Sequence, residues 1–196
     1  MTGIIIQPVH EALHKDKMKK QPAIFLDRDD TLNIDVSYTY KVSDFGWVRG
    51  APEALKLFSE VGLDVFIVTN QGGIGRGLYA ESDMHRFNDH LIAEAAALGG
   101  HIEDIAFCPH HPEAVISTLR TPCLCRKPGH QMITRLAEKW SVDLATSVMI
   151  GDRDSDVAAG RAAGCHAYLF DGTDLHELAK HVMNQHFSNL HVPACK

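Results

Sequence analysis

The chain has 196 residues, of which 45% are apolar and 22% charged, with a formal net charge of −6 at pH 7. This length suits one well-buried domain, and the composition excludes wholesale disorder. The net charge gives no support to a nucleic-acid surface, and no stretch has the apolar length of a membrane span or the layout of a secretory signal. We therefore expect a cytoplasmic monomer that binds neither nucleic acids nor membranes.

Short apolar runs alternate with helical patterns along the chain. Residues 1–21 have no firm period and are predicted to be a loosely structured leader, followed by one domain over 22–185 and a tail over 186–196. Buried strands are predicted at 23–26, 65–68, 105–107, 147–150 and 166–170. Helices are predicted at 52–61, 82–98 with Ser82 as its N-cap, 130–140 and 155–163. The alternation predicts an α/β fold with a doubly wound, mostly parallel sheet.

Acidic side chains follow two of these strands. Asp27 and Asp29 come directly after the first strand, and Asp152 comes after the fourth. Ligands of open parallel sheets bind outside the carboxyl ends of the strands, where these side chains meet. Converging carboxylates repel one another unless a cation lies between them, and Mg²⁺ is the cation that oxygen ligands with a phosphate suit best. The sequence predicts a magnesium site that can also present a carboxylate nucleophile to phosphorus.

A single aspartate after a strand more often forms a turn or caps a helix, so the order of motifs carries the argument. DRDDT follows the first predicted strand, VTNQ closes the second, RKP lies in the loop before the third helix, and GDRDSD follows the fourth strand. This ordered set resembles the haloacid dehalogenase-like phosphotransferases, and the resemblance spans residues 22–170. It implies an aspartyl-phosphate mechanism. Because only about forty residues lie between Asp27 and Thr69, we expect no large cap domain.

The resemblance also implies roles for individual residues. Asp27 matches the nucleophile and Asp29 the general acid and base, while Thr69 and Lys127 match the groups that bind the transferring phosphoryl oxygens. The magnesium set is completed by Asp152, together with Asp27 and the main-chain carbonyl of Asp29. Asp156 would only cap or orient.

Asp30 departs from the family pattern, which usually has glycine at this position. Glycine permits a left-handed backbone at little steric cost, and aspartate tolerates that geometry better than most residues. The substitution is therefore either an accepted variation or a negative charge that repels phosphate and slows turnover.

A second constellation lies in the loop over residues 108–125. Cys108 and His110 form a C-x-H pair, and Cys123 and Cys125 form a C-x-C pair, with twelve residues between the two pairs. Three thiolates and one imidazole make a closed tetrahedral zinc site, and the five cysteines in total do not suit a secreted disulfide framework. His111 competes with His110 as the fourth ligand. The alternative is that these are buried small residues and a surface histidine. We expect structural Zn²⁺ here.

This loop resembles that of a cap-less branch containing D-glycero-D-manno-heptose 1,7-bisphosphate phosphatases and bacterial histidinol-phosphate phosphatases. The runs FLDRDDTLNID, CPHHP and GIGRG are closer to the heptose enzymes. The resemblance implies removal of the 7-phosphate of the heptose bisphosphate during lipopolysaccharide precursor synthesis. Predicted contacts to the phosphorylated sugar are Asn33, Asp35, Tyr38, Asn70, Gln71, Arg76, Arg126 and Arg153. Arg76 can equally be a plain surface charge.

Two other functions fit part of the pattern. A histidinol-phosphate phosphatase, or a phosphatase of another small sugar phosphate, changes only the substrate. A receiver-like signalling domain shares the acidic pocket and a phosphorylatable aspartate, but its phosphoaspartate persists. Release of phosphate from a model ester, compared with Asp27→Asn, separates an enzyme from a receiver.

Overall fold

The computed structural model describes residues 20–190 and the backbone of residues 5–7. Its six strands form one sheet in the spatial order β1-β4-β3-β2-β5-β6. The strands are β1 (Ile5–Gln7), β2 (Ala23–Leu26), β3 (Asp64–Asn70), β4 (Asp104–Cys108), β5 (Val148–Gly151) and β6 (His166–Leu169). Strands β2 to β6 are parallel, and β1 pairs with β4 in the antiparallel direction. The predicted mostly parallel sheet is confirmed.

Six α-helices lie within the described residues. They are α1 (Ala51–Glu60), α2 (Gly72–Gly75), α3 (Glu81–Ala97), α4 (Gln131–Trp140), α5 (Asp154–Ala163) and α6 (Leu175–His186). Four of them, α1, α3, α4 and α5, correspond to the predicted helices. The predicted N-cap Ser82 is wrong, because α3 already begins at Glu81, where the Asp83 carboxylate accepts the Ala80 N–H at 2.8 Å. None of the helices in residues 20–190 is long and apolar enough to span a bilayer.

Alternate residues of the central strands face opposite sides of the sheet, as the period of a strand requires. On β2, Ile24 and Leu26 pack with the helix layer of α1, α3 and α6, which contributes Leu55, Phe87 and Val182 among others. Ala23 and Phe25 pack with α4 and α5 on the other face. Because both faces of β2 are buried, its sequence is a continuous apolar run rather than an alternating one.

Two elements were not predicted. The strand β1 lies inside the predicted leader, and residues 1–4 and 8–19 of that leader lie outside the described residues. Helix α6 is capped by Asp174, whose carboxylate accepts the His176 N–H at 3.0 Å. It extends to His186, and Phe187 is buried after it. The predicted tail from residue 191 onward also lies outside the described residues. The domain boundaries therefore stay a prediction.

Candidate active site

A cavity of about 520 Å³ opens at the carboxyl ends of β2 and β3 and at the start of α5. A volume of this size is typical of small-molecule sites, which measure roughly 300–1,000 Å³. Its lining is mostly polar and comprises Asp27, Asp29, Asp35, Ser37, Tyr38, Thr69, Asn70, Gly72, Tyr79, His111, Arg126, Lys127, Arg153, Ser155 and Asp156. The predicted nucleophile, acid–base residue and phosphate-binding groups all belong to this one lining.

A buried lysine lies between two carboxylates in this cavity. Lys127 Nζ is 2.6 Å from Asp27 Oδ1 and 2.7 Å from Asp156 Oδ1. It also donates to the main-chain carbonyl of Val68 at 2.7 Å. All three charged side chains are nearly inaccessible to solvent. The ammonium group therefore has a fixed position beside Asp27.

Burial and charge act against each other in this group. Burial raises the pKa of Asp27 to about 7, although Lys127 opposes the shift. Burial also disfavours the charged form of Lys127, but the two carboxylates raise its pKa above the ordinary value. Burial and then Asp156 raise the pKa of Asp152. The carboxylates together carry more negative charge than one lysine neutralises, which is an arrangement that a further cation stabilises.

The same carboxylates are arranged as metal ligands. Asp27, Asp152 and Asp156 each offer a carboxylate oxygen, and these oxygens lie within 4.8 Å of one another. Asp152 Oδ1 is buried and accepts no hydrogen bond from residues 20–190. A buried carboxylate oxygen without a partner is costly unless a cation lies beside it. These residues therefore fit a hard divalent cation such as Mg²⁺.

The side chain of Asp29 lies outside this three-carboxylate group, in which Asp156 is found instead. Its Oδ1 accepts from Arg28 Nη2 at 2.8 Å, and its Oδ2 accepts from Gln71 Nε2 at 2.8 Å. These donors hold the carboxylate at the cavity wall. A metal contact from Asp29 would thus come from its main-chain carbonyl, as the family resemblance implies, and stays a prediction.

Arg28 is a site residue that sequence reasoning missed. Its side chain is 1% exposed. Besides Asp29, it donates to Asn88 Oδ1 at 3.0 Å and to the Thr39 carbonyl at 2.9 Å. The guanidinium also lies 4.7 Å from the centre of the Phe87 ring. In the sequence, only its position between Asp27 and Asp29 indicated a role at the site. Its partners Asn88 and Thr39 lie elsewhere in the chain.

Gln71 was predicted to contact substrate, but the structure places its side chain behind the catalytic groups. It is 1% exposed, and its Nε2 also donates to Thr69 Oγ1 at 2.8 Å. Its Oε1 accepts from the Tyr79 hydroxyl at 2.6 Å. Gln71 therefore connects Asp29 with Thr69 and orients both.

Asn70, another predicted substrate contact, lines the cavity but uses its amide on the protein. Its Oδ1 accepts the Lys127 N–H at 3.0 Å, and its Nδ2 donates to the Lys127 carbonyl at 3.2 Å. This pair of hydrogen bonds ties the end of β3 to the RKP segment. It fixes the backbone from which the Lys127 side chain reaches Asp27.

The four predicted zinc ligands come together in a second cluster. The ligand atoms of Cys108, His110, Cys123 and Cys125 lie within 4.8 Å of one another. His110 Nδ1 is 3.4 Å from Cys108 Sγ and 3.3 Å from Cys125 Sγ, and the two sulfurs are 3.1 Å apart. The Cys108 thiol lowers the pKa of Cys125 to about 5. This compact set of three sulfurs and one imidazole fits tetrahedral Zn²⁺ without an open position.

The cluster is joined to the cavity through Arg126. The Arg126 N–H points to Cys123 Sγ at 3.4 Å, and its Nη1 donates to the His110 carbonyl at 3.0 Å. Lys127 is the next residue in the chain. Holding the four ligands together therefore also positions one cation in the cavity wall and another beside Asp27.

Comparison with known proteins agrees with this geometry. Residues 124–187 match the model of the HAD-hydrolase-like family, where HAD stands for haloacid dehalogenase. D-glycero-β-D-manno-heptose-1,7-bisphosphate 7-phosphatase of Rhodopseudomonas palustris is 38% identical over 164 residues, which cover 84% of this chain and 91% of that protein. The chain belongs to the HAD-like phosphatase family.

Two further similarities extend this result. A second relative, D-glycero-α-D-manno-heptose-1,7-bisphosphate 7-phosphatase of Photorhabdus laumondii, is 38% identical over 71% of this chain and 76% of that protein. The crystal structure of D,D-heptose 1,7-bisphosphate phosphatase from B. bronchiseptica, in complex with magnesium and phosphate, matches with a TM-score of 0.74 and 27% identity. It covers 84% of this chain and 99% of that one.

Of the remaining predicted substrate residues of this HAD-like phosphatase, four line the cavity and two, Asn33 and Arg76, do not. Asp35, Tyr38, Arg126 and Arg153 line the cavity. Asn33 is fully buried and donates to Asp29 Oδ1 at 3.2 Å, so it supports the acid–base residue. Arg76 is not among the lining residues. It donates to the Tyr38 hydroxyl and lies 3.6 Å from Glu113 Oε2.

Asp30 adopts the left-handed backbone that the family glycine would favour, with φ of 58°. Its Oδ1 accepts the Asp35 N–H at 3.0 Å. Its side chain lines a neighbouring cavity with Asp152, rather than the one that contains Asp27. The left-handed backbone and the hydrogen bond to Asp35 favour an accepted variation, while the Asp30 charge contributes, after burial and Asp156, to the raised pKa of Asp152.

His111, the competing zinc ligand, lies outside the metal cluster of this phosphatase and inside the cavity lining. Its Nδ1 accepts the Glu113 N–H at 3.0 Å. Burial, together with Arg126 and Arg76, lowers the pKa of His111. Sequence reasoning considered this residue only as a metal ligand, although its position one residue after His110 was a signal that it shares the fixed loop.

Proposed function

We propose that this phosphatase hydrolyses the 7-phosphate of D-glycero-D-manno-heptose 1,7-bisphosphate, a step in lipopolysaccharide precursor synthesis. The observation that carries the proposal is the buried Asp27–Lys127 pair, with contact at 2.6 Å, in a cavity with room for a phosphorylated sugar. The names of relatives that are 38% identical over most of the chain support the choice of substrate.

In the first step, an Asp27 carboxylate oxygen attacks phosphorus and forms a P–O bond. The bond between phosphorus and the sugar oxygen breaks, and Asp29 gives a proton to that oxygen. Lys127, beside Asp27, and Thr69 stabilise the charge on the phosphoryl oxygens. Arg28 and Gln71 hold Asp29 at the cavity wall in position for proton transfer.

In the second step, Asp29 takes a proton from a water molecule that attacks the aspartyl phosphate. The bond between phosphorus and the Asp27 oxygen breaks, and inorganic phosphate leaves. Asp27, Asp152 and Asp156 would hold Mg²⁺, which when bound neutralises charge on the carboxylates and the phosphoryl group. Asp156 also accepts the Arg153 N–H at 3.0 Å, so the start of α5 fixes its orientation.

The second phosphate of the substrate requires a cation away from Asp27. Arg126 lines the cavity and is anchored through one nitrogen to the His110 carbonyl, which leaves its other N–H groups for an anion. An arginine fork suits phosphate geometry. Arg153 lines the same cavity beside Asp152, at 3.5 Å, and is a second candidate.

Cys108, His110, Cys123 and Cys125 would hold Zn²⁺ as a structural ion. Its contribution is to fix the loop that carries Arg126 and Lys127, because all four ligand positions are filled by protein. Three free thiols in one cluster suit a reducing compartment, so a cytoplasmic location belongs to this proposal. We also propose a monomer, which light scattering after gel filtration tests directly.

The experiment is a steady-state comparison of four substrates: both anomers of the heptose 1,7-bisphosphate, fructose 1,6-bisphosphate and histidinol phosphate. We expect kcat/KM to be highest for one heptose anomer, with Asp27→Asn inactive on every substrate. Equal kcat/KM values across the panel would contradict the heptose assignment. A preference for histidinol phosphate would replace the substrate and keep the phosphatase chemistry.

A further inference from the structure

We propose that His111 is a specificity-determining residue, which donates a hydrogen bond from Nε2 to an oxygen of the sugar portion of the substrate. The proposal rests on the proposed function, since it assigns part of the same cavity. It goes beyond the groups assigned to phosphate and to metal. His111 lies in the part of the cavity wall next to Gly72.

The backbone of His111 is held on both sides. Its N–H donates to the Leu119 carbonyl at 3.1 Å, and its carbonyl accepts the Ala114 N–H at 3.0 Å. The preceding residue, His110, belongs to the zinc cluster. A residue positioned in this way places its side chain with little freedom, which specificity for a substrate requires.

The hydrogen bonding of the ring fixes its tautomer. The Glu113 N–H donates to Nδ1 at 3.0 Å, so Nδ1 acts as an acceptor and carries no hydrogen. A neutral imidazole then carries its hydrogen on Nε2, which becomes a donor. None of the hydrogen bonds among residues 20–190 uses this Nε2, so the donor remains for a ligand.

Gly72 leaves the space in which the ring lies. A Cβ at residue 72 would come within 2.9 Å of His111 Cδ2 and 3.2 Å of Arg126 Nη1. The imidazole and the guanidinium are therefore neighbours over the same glycine, just after the strand end that bears Thr69. A sugar phosphate carries both a charged group and uncharged oxygens. The Arg126 guanidinium can bind the phosphate, and the neutral His111 ring beside it can donate to a sugar oxygen.

Three substitutions separate this role from a structural one. His111→Gln keeps a donor near the position of Nε2, His111→Asn keeps an acceptor near the position of Nδ1, and His111→Ala keeps neither. The measurements are KM and kcat on the heptose bisphosphate, kcat/KM on p-nitrophenyl phosphate, and bound zinc per chain. His101→Gln is the matched control, because His101 is exposed and pairs with Glu103 at 3.0 Å outside the cavity.

We expect His111→Ala and His111→Asn to raise KM for the heptose bisphosphate about tenfold, the effect of one lost hydrogen bond of about 1.4 kcal/mol. The ratio of kcat/KM for the heptose bisphosphate to that for p-nitrophenyl phosphate should fall by the same factor. His111→Gln should restore most of the KM, and zinc should stay at one per chain in all variants.

Restoration by Asn and not by Gln would overturn the proposal, because the ring would then act through the Glu113 N–H alone. Equal losses of kcat/KM on both substrates would overturn it as well. If the wild type hydrolyses p-nitrophenyl phosphate but not the heptose bisphosphate, the proposed function fails. The Gln and Asn comparison is then made on the best sugar phosphate of the panel, where the same result would support the role of His111.

Discussion

Lys127 Nζ lies 2.6 Å from Asp27 Oδ1, and both side chains are buried. The same ammonium group lies 2.7 Å from Asp156 Oδ1. One cation thus serves the proposed nucleophile and a proposed metal ligand at once. It keeps Asp27 in place before any substrate binds, and the remaining negative charge of the group attracts a divalent ion.

Replacing this lysine tests the arrangement. Lys127→Met leaves two buried carboxylates without their cation, and we expect kcat to fall by about 10²- to 10³-fold because a charge-stabilising donor is lost. Breaking a buried ion pair from one side also costs about 3–5 kcal/mol in the free energy of unfolding. Enzyme assays at saturating substrate and urea unfolding measure the two effects.

The matched control is Lys180→Met, because Lys180 pairs with Glu177 on the exposed face of α6. Its free energy of unfolding should change by at most about 0.5 kcal/mol and its kcat should not change. A Lys127→Met enzyme that retains more than a tenth of the wild-type kcat would contradict the role given to this residue.

Removing the two proposed metals should have different consequences. Turnover should stop in magnesium-free buffer and return when magnesium is added. Losing zinc through Cys123→Ala should raise KM about tenfold or more, because Arg126 and Lys127 lose their fixed loop. Cys165→Ala is the control, as Cys165 is a buried cysteine outside the cluster. A folded, zinc-free enzyme with an unchanged KM would show that the cluster does not tune the site.

Local patterns predicted the parts of the fold that are continuous in sequence. The five parallel strands are short apolar runs, and Asp27 and Asp152 follow from their positions at strand ends. Helix α6 carried a signal that was not used. Asp174 caps it, and Leu175, Ala179 and Val182 are buried at helical spacing. Strand β1 depends on pairing with the distant β4, which no local pattern reports.

The details of the site depended on contacts between distant residues. Asp156 joins the metal group only because the turn after β5 brings it next to Lys127, which lies 29 positions earlier in the chain. The family resemblance predicted that Gln71 contacts the substrate, but its amide donates to Asp29 and Thr69. Residue types and their spacing were enough to predict the chemistry of the site, whereas the orientation of each group is determined by tertiary packing.

The aspartate in the usual glycine position gives a prediction about rate. Asp30→Gly removes the strain of a positive φ, about 1–2 kcal/mol, and loses the hydrogen bond to the Asp35 N–H, about 1 kcal/mol. The free energy of unfolding should change by about 1 kcal/mol or less, and kcat should stay within twofold. Asp30→Asn keeps an acceptor and removes the charge. If both variants were several times faster than the wild type, repulsion of phosphate would be the better explanation.

The carboxyl-terminal helix gives a prediction about pH. The rings of His166 and His186 stack at 4.1 Å, and the Tyr168 hydroxyl lies 2.6 Å from His186 Nε2. Burial, with His166 and His181 nearby, lowers the pKa of His186 below 6.5. The folded state therefore binds this proton more weakly than the unfolded state does. The contribution of neutral His186 to the free energy of unfolding is fully present above about pH 6.5, and it is lost as the pH falls toward the lowered pKa.

The melting temperature should fall between pH 7.5 and 5.5, and His186→Gln should reduce that fall by on the order of 1 °C. An identical fall in the variant would contradict it.

Buried Arg28 should act on catalysis through Asp29 rather than on substrate directly. Arg28→Lys keeps the charge but loses the forked geometry that reaches Asp29 and the Thr39 carbonyl together. We expect kcat to fall at least tenfold while KM changes less than threefold, because the proton-transferring group loses its orientation and the phosphate-binding groups do not.

Circular dichroism and urea unfolding establish that the Arg28→Lys variant is folded. Asn88→Asp, which keeps an acceptor for Arg28 Nη1, is the companion variant and should retain most of the kcat. A rise in KM with an unchanged kcat in Arg28→Lys would place the arginine in substrate binding and refute its role as a positioning residue.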